Sequence, residues 1–272
     1  MNLRENSLPA GWYPRNPGEI SRFLSGMARG TARAAIAPQA GWHYSGKIAA
    51  RAVAALDSAI DVLVVIGGHV PAGCPPLFAM EDAVNTPLGA MIIHADLRAA
   101  LIRKLGSQED RYADNTVEVL LPMARFFHPA ASLVWVRFPA ELSSFDSGKI
   151  IAAAAAETGI TAAVLASTDL THYGPNYGFM PEGGGPQALR WVREVNDRRF
   201  IDAIESGDPA AVLERAETES SSCSPGPVLG AMGFAGAIGC GPARLLEYGT
   251  SVDTMETVTS SDSFVGYAAF AF

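Results

Sequence analysis

The stretch DVLVVIGGHVP, residues 61–71, holds five consecutive aliphatic residues followed by a Gly-Gly pair. A continuous apolar run of this length, ended by glycine, is typical of a strand buried on both faces in a mostly parallel sheet. Three further runs have the same character: residues 32–38, 132–138 and 161–167. Amphipathic segments of helical length separate the runs: residues 47–59, 95–105, 115–127 and 149–157. Because strand and helix alternate, the sequence predicts an α/β fold with a mostly parallel central sheet flanked by helices.

The composition agrees with one well-packed domain. The chain has 272 residues, of which 49% are hydrophobic and 18% are charged, so it must bury a large core. No linker, repeat or change of composition divides it, and we expect a single domain over residues 1–272. The 20 Lys and Arg against 28 Asp and Glu give a net charge of −8, which argues against nucleic acid or an anionic membrane as a partner.

The cysteines and the apolar segments indicate a cytoplasmic protein. Cys74, Cys223 and Cys240 are an odd set at wide spacings, which does not form a disulfide framework. The N-terminus lacks the uninterrupted apolar core of a signal peptide. The apolar segment 228–240 is shorter than the roughly 20 residues needed to cross a bilayer, so we predict a buried helix there, with small residues that allow close packing.

Polar residues gather where the predicted strands end. His43, His69 and His172 each follow a different strand, and ligands of an open parallel sheet bind beyond the carboxyl ends of its strands. Cys223 precedes the helix predicted at 228–240, whose dipole would favour a thiolate. Asp169 lies three residues before His172, close enough to orient its imidazole. One such histidine is commonly a hydrogen-bonded loop residue, but three at one sheet edge favour a site.

Six motifs occur along the chain in a definite order: GWYP (11–14), IAPQAGWHYSG (36–46), VVIGGHVP (64–71), NTPLG (85–89), DNTVEVLLP (114–122) and STDLTHYG (167–174). With them, and with its closing FVGYAAFAF, the chain resembles the Memo family. The human member of that family is named as a mediator of receptor-driven cell motility, and bacterial members accompany a radical-SAM protein.

The resemblance implies a fold like that of the class III extradiol dioxygenases and a metal pocket built from two histidines and a late cysteine. His69 and Cys223 match two of these ligands, and a thiolate favours iron or copper. Gln39 replaces the family's first histidine, which leaves a weak amide donor. His43, four residues later on the same loop, is a candidate substitute.

The resemblance also bears on the rest of the pocket and on partners. Asn115 stands in place of a family histidine, Glu118 keeps a family acid, and Tyr44 belongs to the same pocket. The family implies a functional association with a radical-SAM protein and an AMMECR-type protein, beside a small-molecule ligand that the sequence does not identify.

Three functions remain open from the sequence. The first is a metal-dependent oxidoreductase or dioxygenase-like enzyme, in which iron or copper is held by His69, Cys223 and either Gln39 or His43, and His172 is the acid/base. The second is a binding or interaction module that has lost its metal. The third is metal-free thiol catalysis, with Cys223 as nucleophile, His172 as base and Asp169 as its orienting group.

Overall fold

A nine-stranded sheet forms the centre of the fold, in a computed structural model that describes residues 2–254 and 262–272. The strands are β1 (Leu3–Arg4), β2 (Ala34–Ala37), β3 (Val62–Val70), β4 (Leu77–Phe78), β5 (Ala83–Val84), β6 (Met91–Ile92), β7 (Gln108–Glu109), β8 (Ser132–Pro139), β9 (Ala162–Ser167), β10 (His172–Tyr173), β11 (Arg244–Thr250) and β12 (Phe264–Ala271). The order in the large sheet is β10-β12-β2-β9-β3-β8-β4-β7, with β11 paired to β12, while β1, β5 and β6 form a small separate sheet.

The four apolar runs form the parallel centre of the sheet. β2, β9, β3 and β8 are neighbours, and each adjacent pair is parallel, which confirms the α/β class. The prediction of a mostly parallel sheet is wrong, because the large sheet has four parallel and four antiparallel pairings among the described strands. The antiparallel strands lie outside the centre. β4, for example, follows β3 after only six residues, too few for a crossover helix.

Helices cover both faces of this sheet. They are α1 (Pro17–Leu24), α2 (Trp42–Ala55), α3 (Ala95–Leu105), α4 (Asn115–Glu118), α5 (Leu121–Phe127), α6 (Ser143–Glu157), α7 (Pro186–Trp191), α8 (Asp197–Ser206), α9 (Pro209–Glu219) and α10 (Pro225–Ala237). A π-helix, Val192–Asn196, joins α7 to α8, and short 3₁₀ helices lie at Pro175–Tyr177 and Ser251–Thr254. The helix predicted over 115–127 is divided into α4 and α5, with Pro122 in the first turn of α5, where its missing N–H costs least.

Strand β3 explains why its sequence is apolar throughout. Leu63 and Val65 belong to the core on one face of the sheet, while Val62, Val64 and Ile66 belong to the core on the other face. All five side chains are fully buried. A strand in this position has no solvent-facing side, so its sequence shows no polar alternation.

Helix α10 is the buried helix predicted from the apolar segment, and its small residues allow a close crossing with α6. A methyl group on Gly233 would overlap the backbone oxygen of Phe145, and one on Gly148 would overlap the backbone oxygen of Gly230. Eleven of the thirteen α10 residues are buried. No described helix is both long and apolar enough to span a membrane.

Two alanine substitutions within α10 are expected to change stability in opposite directions. Gly233→Ala forces α6 and α10 apart and should lower the free energy of unfolding by about 1–3 kcal/mol. Gly236→Ala, three residues later, meets no atom within 4 Å and should raise it by roughly 0.5 kcal/mol, since alanine is the better helix former. Urea unfolding of both variants measures the difference, and equal effects would contradict the close crossing.

Candidate functional site

A cavity of about 630 Å³ opens at the carboxyl ends of β2, β3 and β9. It lies where ligands bind in sheets of this kind. Six of the residues singled out from the sequence line it: Gln39, Tyr44, His69, Asn115, Asp169 and His172. The cavity therefore brings together residues from three strand ends and two helices.

The Gly-Gly pair at the end of β3 lets the walls of the site come close. A methyl group on Gly67 would overlap the Thr116 side chain, and one on Gly68 would overlap that of Ser224. The register of β3 against β8 shifts between Gly67 and Val70, which is a β-bulge. Such bulges commonly redirect a side chain at a site. Here the redirected residue is His69, whose φ of 57° is rare for a residue other than glycine.

Each nitrogen of the His69 imidazole has a polar neighbour, and Asp114 holds Nδ1. Its Nδ1 lies 3.1 Å from Oδ2 of Asp114, and its Nε2 lies 3.0 Å from Nε2 of Gln39. Burial lowers the pKa of His69, but hydrogen bonds and charge from Asp114 and Cys223 outweigh it and raise the pKa to about 10. Although burial opposes it, the bonds from His69 and Thr116 and the charge of Arg137 lower the pKa of Asp114 to about 2. The two side chains therefore form an ion pair at neutral pH.

The Cys223 sulfur lies among hydrogen-bond donors. Its Sγ is 3.2 Å from Nε2 of Gln39 and 3.4 Å from the backbone N of Asp169. The backbone N–H of Cys223 in turn donates to the Asp169 carbonyl oxygen at 3.2 Å, which joins the two loops. The thiol is partly exposed and stands two residues before α10, as the sequence predicts. Two N–H groups therefore donate to a sulfur that is partly open to solvent.

The Gln39 amide connects the cysteine to the histidine. Its Oε1 accepts from Ser167 Oγ at 2.9 Å, so the amide nitrogen faces His69, Cys223 and the Ser224 hydroxyl, which is 3.4 Å away. When His69 is protonated, its Nε2–H donates to the sulfur, and the two amide hydrogens serve Sγ and Ser224 Oγ. The backbone of Gln39 is fixed too, because its carbonyl oxygen accepts from Asn115 Nδ2 at 2.9 Å.

Asp169 and His172 lie in the same cavity wall without the hydrogen bond that their spacing suggests. In the described part of the chain, His172 Nδ1 bonds to the Leu170 carbonyl oxygen at 3.1 Å, and its ring meets Tyr177 edge-on. The Asp169 carboxyl accepts from the Gln39 backbone N–H at 2.8 Å. Burial raises the pKa of Asp169, and the charge of His172 opposes that shift.

Two other candidates lie away from the cysteine. His43 is exposed on the first turn of α2, with its ring against Tyr44, and it does not line the cavity among the described residues. Glu118 is buried and ties down the N-terminal segment by accepting from Tyr13 and from the backbone of Ser7 and Leu8. It too is absent from the described cavity lining, so its role in this structure is to hold that segment.

The sequence reasoning missed four residues of this arrangement: Asp114, Arg137, Ser167 and Ser224. Two of them carry a signal in the sequence. Asp114 immediately precedes a predicted helix, where a carboxylate commonly caps the first turn, and here it accepts from Thr116 N. Arg137 is a charge within an apolar strand, and such a residue needs a buried partner.

The donor set does not fit the metal centre that the resemblance implies. His69 and Cys223 are suitable ligands, but Gln39 presents amide N–H groups to them, and an N–H donor cannot coordinate a metal. The described residues contain no group of three or more His, Cys, Asp or Glu placed to hold a metal ion. Iron or copper therefore remains a prediction that these residues do not favour.

A mixed α/β sheet with a cavity at its central strand ends defines an α/β protein with a candidate ligand site at the strand ends. Among the described residues, Cys223 does not itself line the cavity, but its sulfur contacts Gln39, which does. The family model described as Memo-like protein matches residues 4–271, so this chain belongs to the Memo family. This confirms the resemblance found in the sequence motifs.

Relatives of known name align along almost the whole chain. A MEMO1 family protein of Methanothermobacter thermautotrophicus is 30% identical over 98% of this chain and 99% of its own. Another, of Methanopyrus kandleri, is 27% identical over 99% of this chain and 98% of its own. A crystal structure of an uncharacterized protein from Escherichia coli K12 covers 88% of this chain and 99% of its own, at a TM-score of 0.49 and 15% identity.

Proposed function

We propose that the cavity carries out metal-free acyl transfer, with Cys223 as nucleophile, His69 as acid and base, and Asp114 as the group that orients His69. The observation that carries the proposal is the placement of Cys223 Sγ and His69 Nε2 around one amide nitrogen of Gln39, at 3.2 and 3.0 Å, with Asp114 Oδ2 3.1 Å from His69 Nδ1. A nucleophile, a base within reach of it and a third group that orients the base are the parts that nucleophilic catalysis requires.

The reaction follows from these positions. The Cys223 thiolate attacks the acyl carbon of a small ester, thioester or amide, and the carbonyl electrons move to its oxygen. The tetrahedral species collapses to a thioester on Cys223, and the leaving group takes a proton from His69 Nε2. Water then attacks the thioester, giving its proton to neutral His69, and the acid departs as the thiolate returns. The Gln39 amide and the Asp169 N–H, 3.2 and 3.4 Å from Sγ, are the groups that would donate to the oxyanion formed beside the sulfur.

This proposal is the third function that the sequence left open, metal-free thiol catalysis by Cys223, with His69 and Asp114 in place of His172 and Asp169. A dioxygenase-type or other metal-dependent oxidoreductase needs three ligands, and here the third position holds an N–H donor. Of the two histidines, His69 rather than His172 supports the role of base, because His69 contacts both a carboxylate and the Gln39–Cys223 pair. The radical-SAM and AMMECR-type partners implied by the family stay predictions.

The test is the covalent intermediate. Wild-type protein mixed with 4-nitrophenyl acetate is expected to release a burst of nitrophenolate and to gain one acetyl group on Cys223, seen by peptide mass spectrometry. Cys223→Ser should show no burst, and added chelator should leave the wild-type burst unchanged. A protein that never acylates Cys223 while binding small ligands in the cavity would instead be the binding module.

Restoring the missing imidazole is expected to create a metal site. Gln39→His places a third ligand beside His69 and Cys223, and affinity for ferrous iron should rise by about 10²-fold over wild type. Anaerobic competition with a chromophoric chelator measures it, and Gln39→His combined with Cys223→Ser serves as the control that loses the gain. Wild-type protein that binds one equivalent as tightly as Gln39→His would contradict the donor argument.

A further inference from the structure

Arg137 lies beneath the cavity and contacts the groups that hold His69. It is 3% exposed, and it stands on β8 opposite Gly67 of β3. Its Nη1 is 3.2 Å from Oδ1 of Asp110, and its Nη2 is 3.1 Å from Oδ2 of Asp114. Its Nε donates to the Gly68 carbonyl oxygen at 2.8 Å. All three guanidinium nitrogens are therefore engaged.

The contacts of Arg137 converge on His69, whose backbone lies in the left-handed region. Besides Gly68, the guanidinium lies 3.4 Å from the carbonyl oxygen of His69, so it reaches both carbonyls around the bulge. A residue other than glycine in this conformation persists only where its surroundings hold it there. The same guanidinium also fixes the Asp114 carboxylate that bonds to His69 Nδ1. Backbone and ring of His69 are thus fixed by one side chain.

We propose that Arg137 is a positioning residue, which sets His69 in the orientation that directs Nε2 at Cys223. This rests on the proposed function, because positioning is meant relative to the thiol. Among the described residues, Arg137 makes no contact with the thiol and does not itself line the cavity. It acts through Asp114 and through the Gly68–His69 backbone.

Lysine cannot take over this role. A guanidinium presents donors in a planar fork, which allows it to bond two carboxylates and two carbonyls at once, whereas an ammonium is a single point charge. Arg137→Lys keeps the charge between Asp110 and Asp114 and loses the fork. The variant therefore tests geometry rather than charge.

Arg4 offers a matched control. Its guanidinium contacts the same Asp110, with Nη1 2.5 Å from the backbone oxygen, and stacks 4.4 Å from the ring of Trp135. Among the described residues it contacts neither His69 nor Asp114. Arg4→Lys therefore disturbs the far side of Asp110 and leaves the His69 contacts in place.

The experiment compares wild type, Arg137→Lys and Arg4→Lys by two readouts at one pH near neutrality. The first is the downfield NMR signal of the His69 Nδ1 proton bonded to Asp114, and the second is the rate of Cys223 alkylation by iodoacetamide. Arg137→Lys is expected to lose the signal and to react at least tenfold more slowly than wild type. Arg4→Lys should keep the signal and react within twofold of wild type.

The outcomes separate the two proposals. Arg137→Lys that keeps the signal and the wild-type rate overturns the positioning role. If wild-type protein never acylates Cys223, the proposed function fails, while loss of the signal in Arg137→Lys alone still supports positioning of His69. If Arg137→Lys does not fold, the double variant Arg137→Gln/Asp110→Asn replaces it, because it removes one charge of each sign. The same loss of the NMR signal and of the alkylation rate is expected. A double variant that keeps both would overturn the positioning role.

Discussion

His69→Gln is expected to slow the acylation of Cys223 by about 10²-fold or more at pH 7. The imidazole is the group that stabilises the thiolate and protonates the leaving group, and glutamine can do neither. Because the pKa of His69 is raised to about 10, the wild-type rate should vary little between about pH 6 and 9. The rate of the variant should instead rise across that range, as for a thiol without an imidazolium partner.

His172→Gln is the matched comparison for that prediction, since it removes the other imidazole of the cavity. Its Nδ1 is bound to the Leu170 carbonyl oxygen, so we expect a loss within about tenfold. Pre-steady-state release of nitrophenolate measures both variants, and circular dichroism checks that each is folded. A large loss of acylation rate in His172→Gln together with a small loss in His69→Gln would show that His172, and not His69, is the base.

The centre of the fold could be predicted from the sequence because its signal is local. Each of the four apolar runs reports its own burial on both faces, and parallel neighbours follow from the alternation with helices. The outer strands carry no such signal. β4 and β10 are two residues long, and whether β12 pairs parallel or antiparallel with β2 depends on a partner more than 200 residues away. The mixed character of the sheet therefore appears only in three dimensions.

The site was predictable in its position and less so in its pairings. His69 and Asp169 were found because they follow buried strands, and that rule depends only on topology. Which carboxylate serves which imidazole depends on side-chain rotamers. Asp114 is 45 residues from His69 in sequence, and it reaches the ring only because a β-bulge turns His69 toward α4.

A second cluster, away from the cavity, contains a buried carboxyl whose raised pKa makes stability depend on pH. Asp197, the first residue of α8, is fully buried and accepts from Thr171 N at 3.1 Å, Thr171 Oγ1 at 2.5 Å and Tyr248 OH at 2.7 Å. Burial raises the pKa of this carboxyl from 3.8 to about 6, although the hydrogen bonds from Thr171 and Tyr248 oppose the shift. The folded protein therefore binds a proton here that the unfolded chain releases at lower pH.

The sign of the effect follows from that difference. Below about pH 3 both states hold the proton, and the stabilisation from the protonated Asp197 is fully present. Between about pH 3 and 6 the unfolded chain loses its proton first, so the free energy of unfolding falls as pH rises. A pKa of about 6 in the folded protein against 3.8 in the unfolded chain lowers the free energy of unfolding by about 3 kcal/mol, and this loss is complete above about pH 7.

Asp197→Asn is expected to remove this loss. The amide keeps the shape of the side chain and an oxygen for Thr171, and it has no charge to bury. Its stability relative to wild type should therefore rise by about 3 kcal/mol between pH 3 and 7, measured by urea unfolding at each pH. Asp146→Asn, at a carboxylate whose side chain is 71% exposed, is the control and should change by less than about 0.5 kcal/mol. Parallel curves for Asp197→Asn and wild type would mean that Asp197 is ionised at no cost in the folded protein.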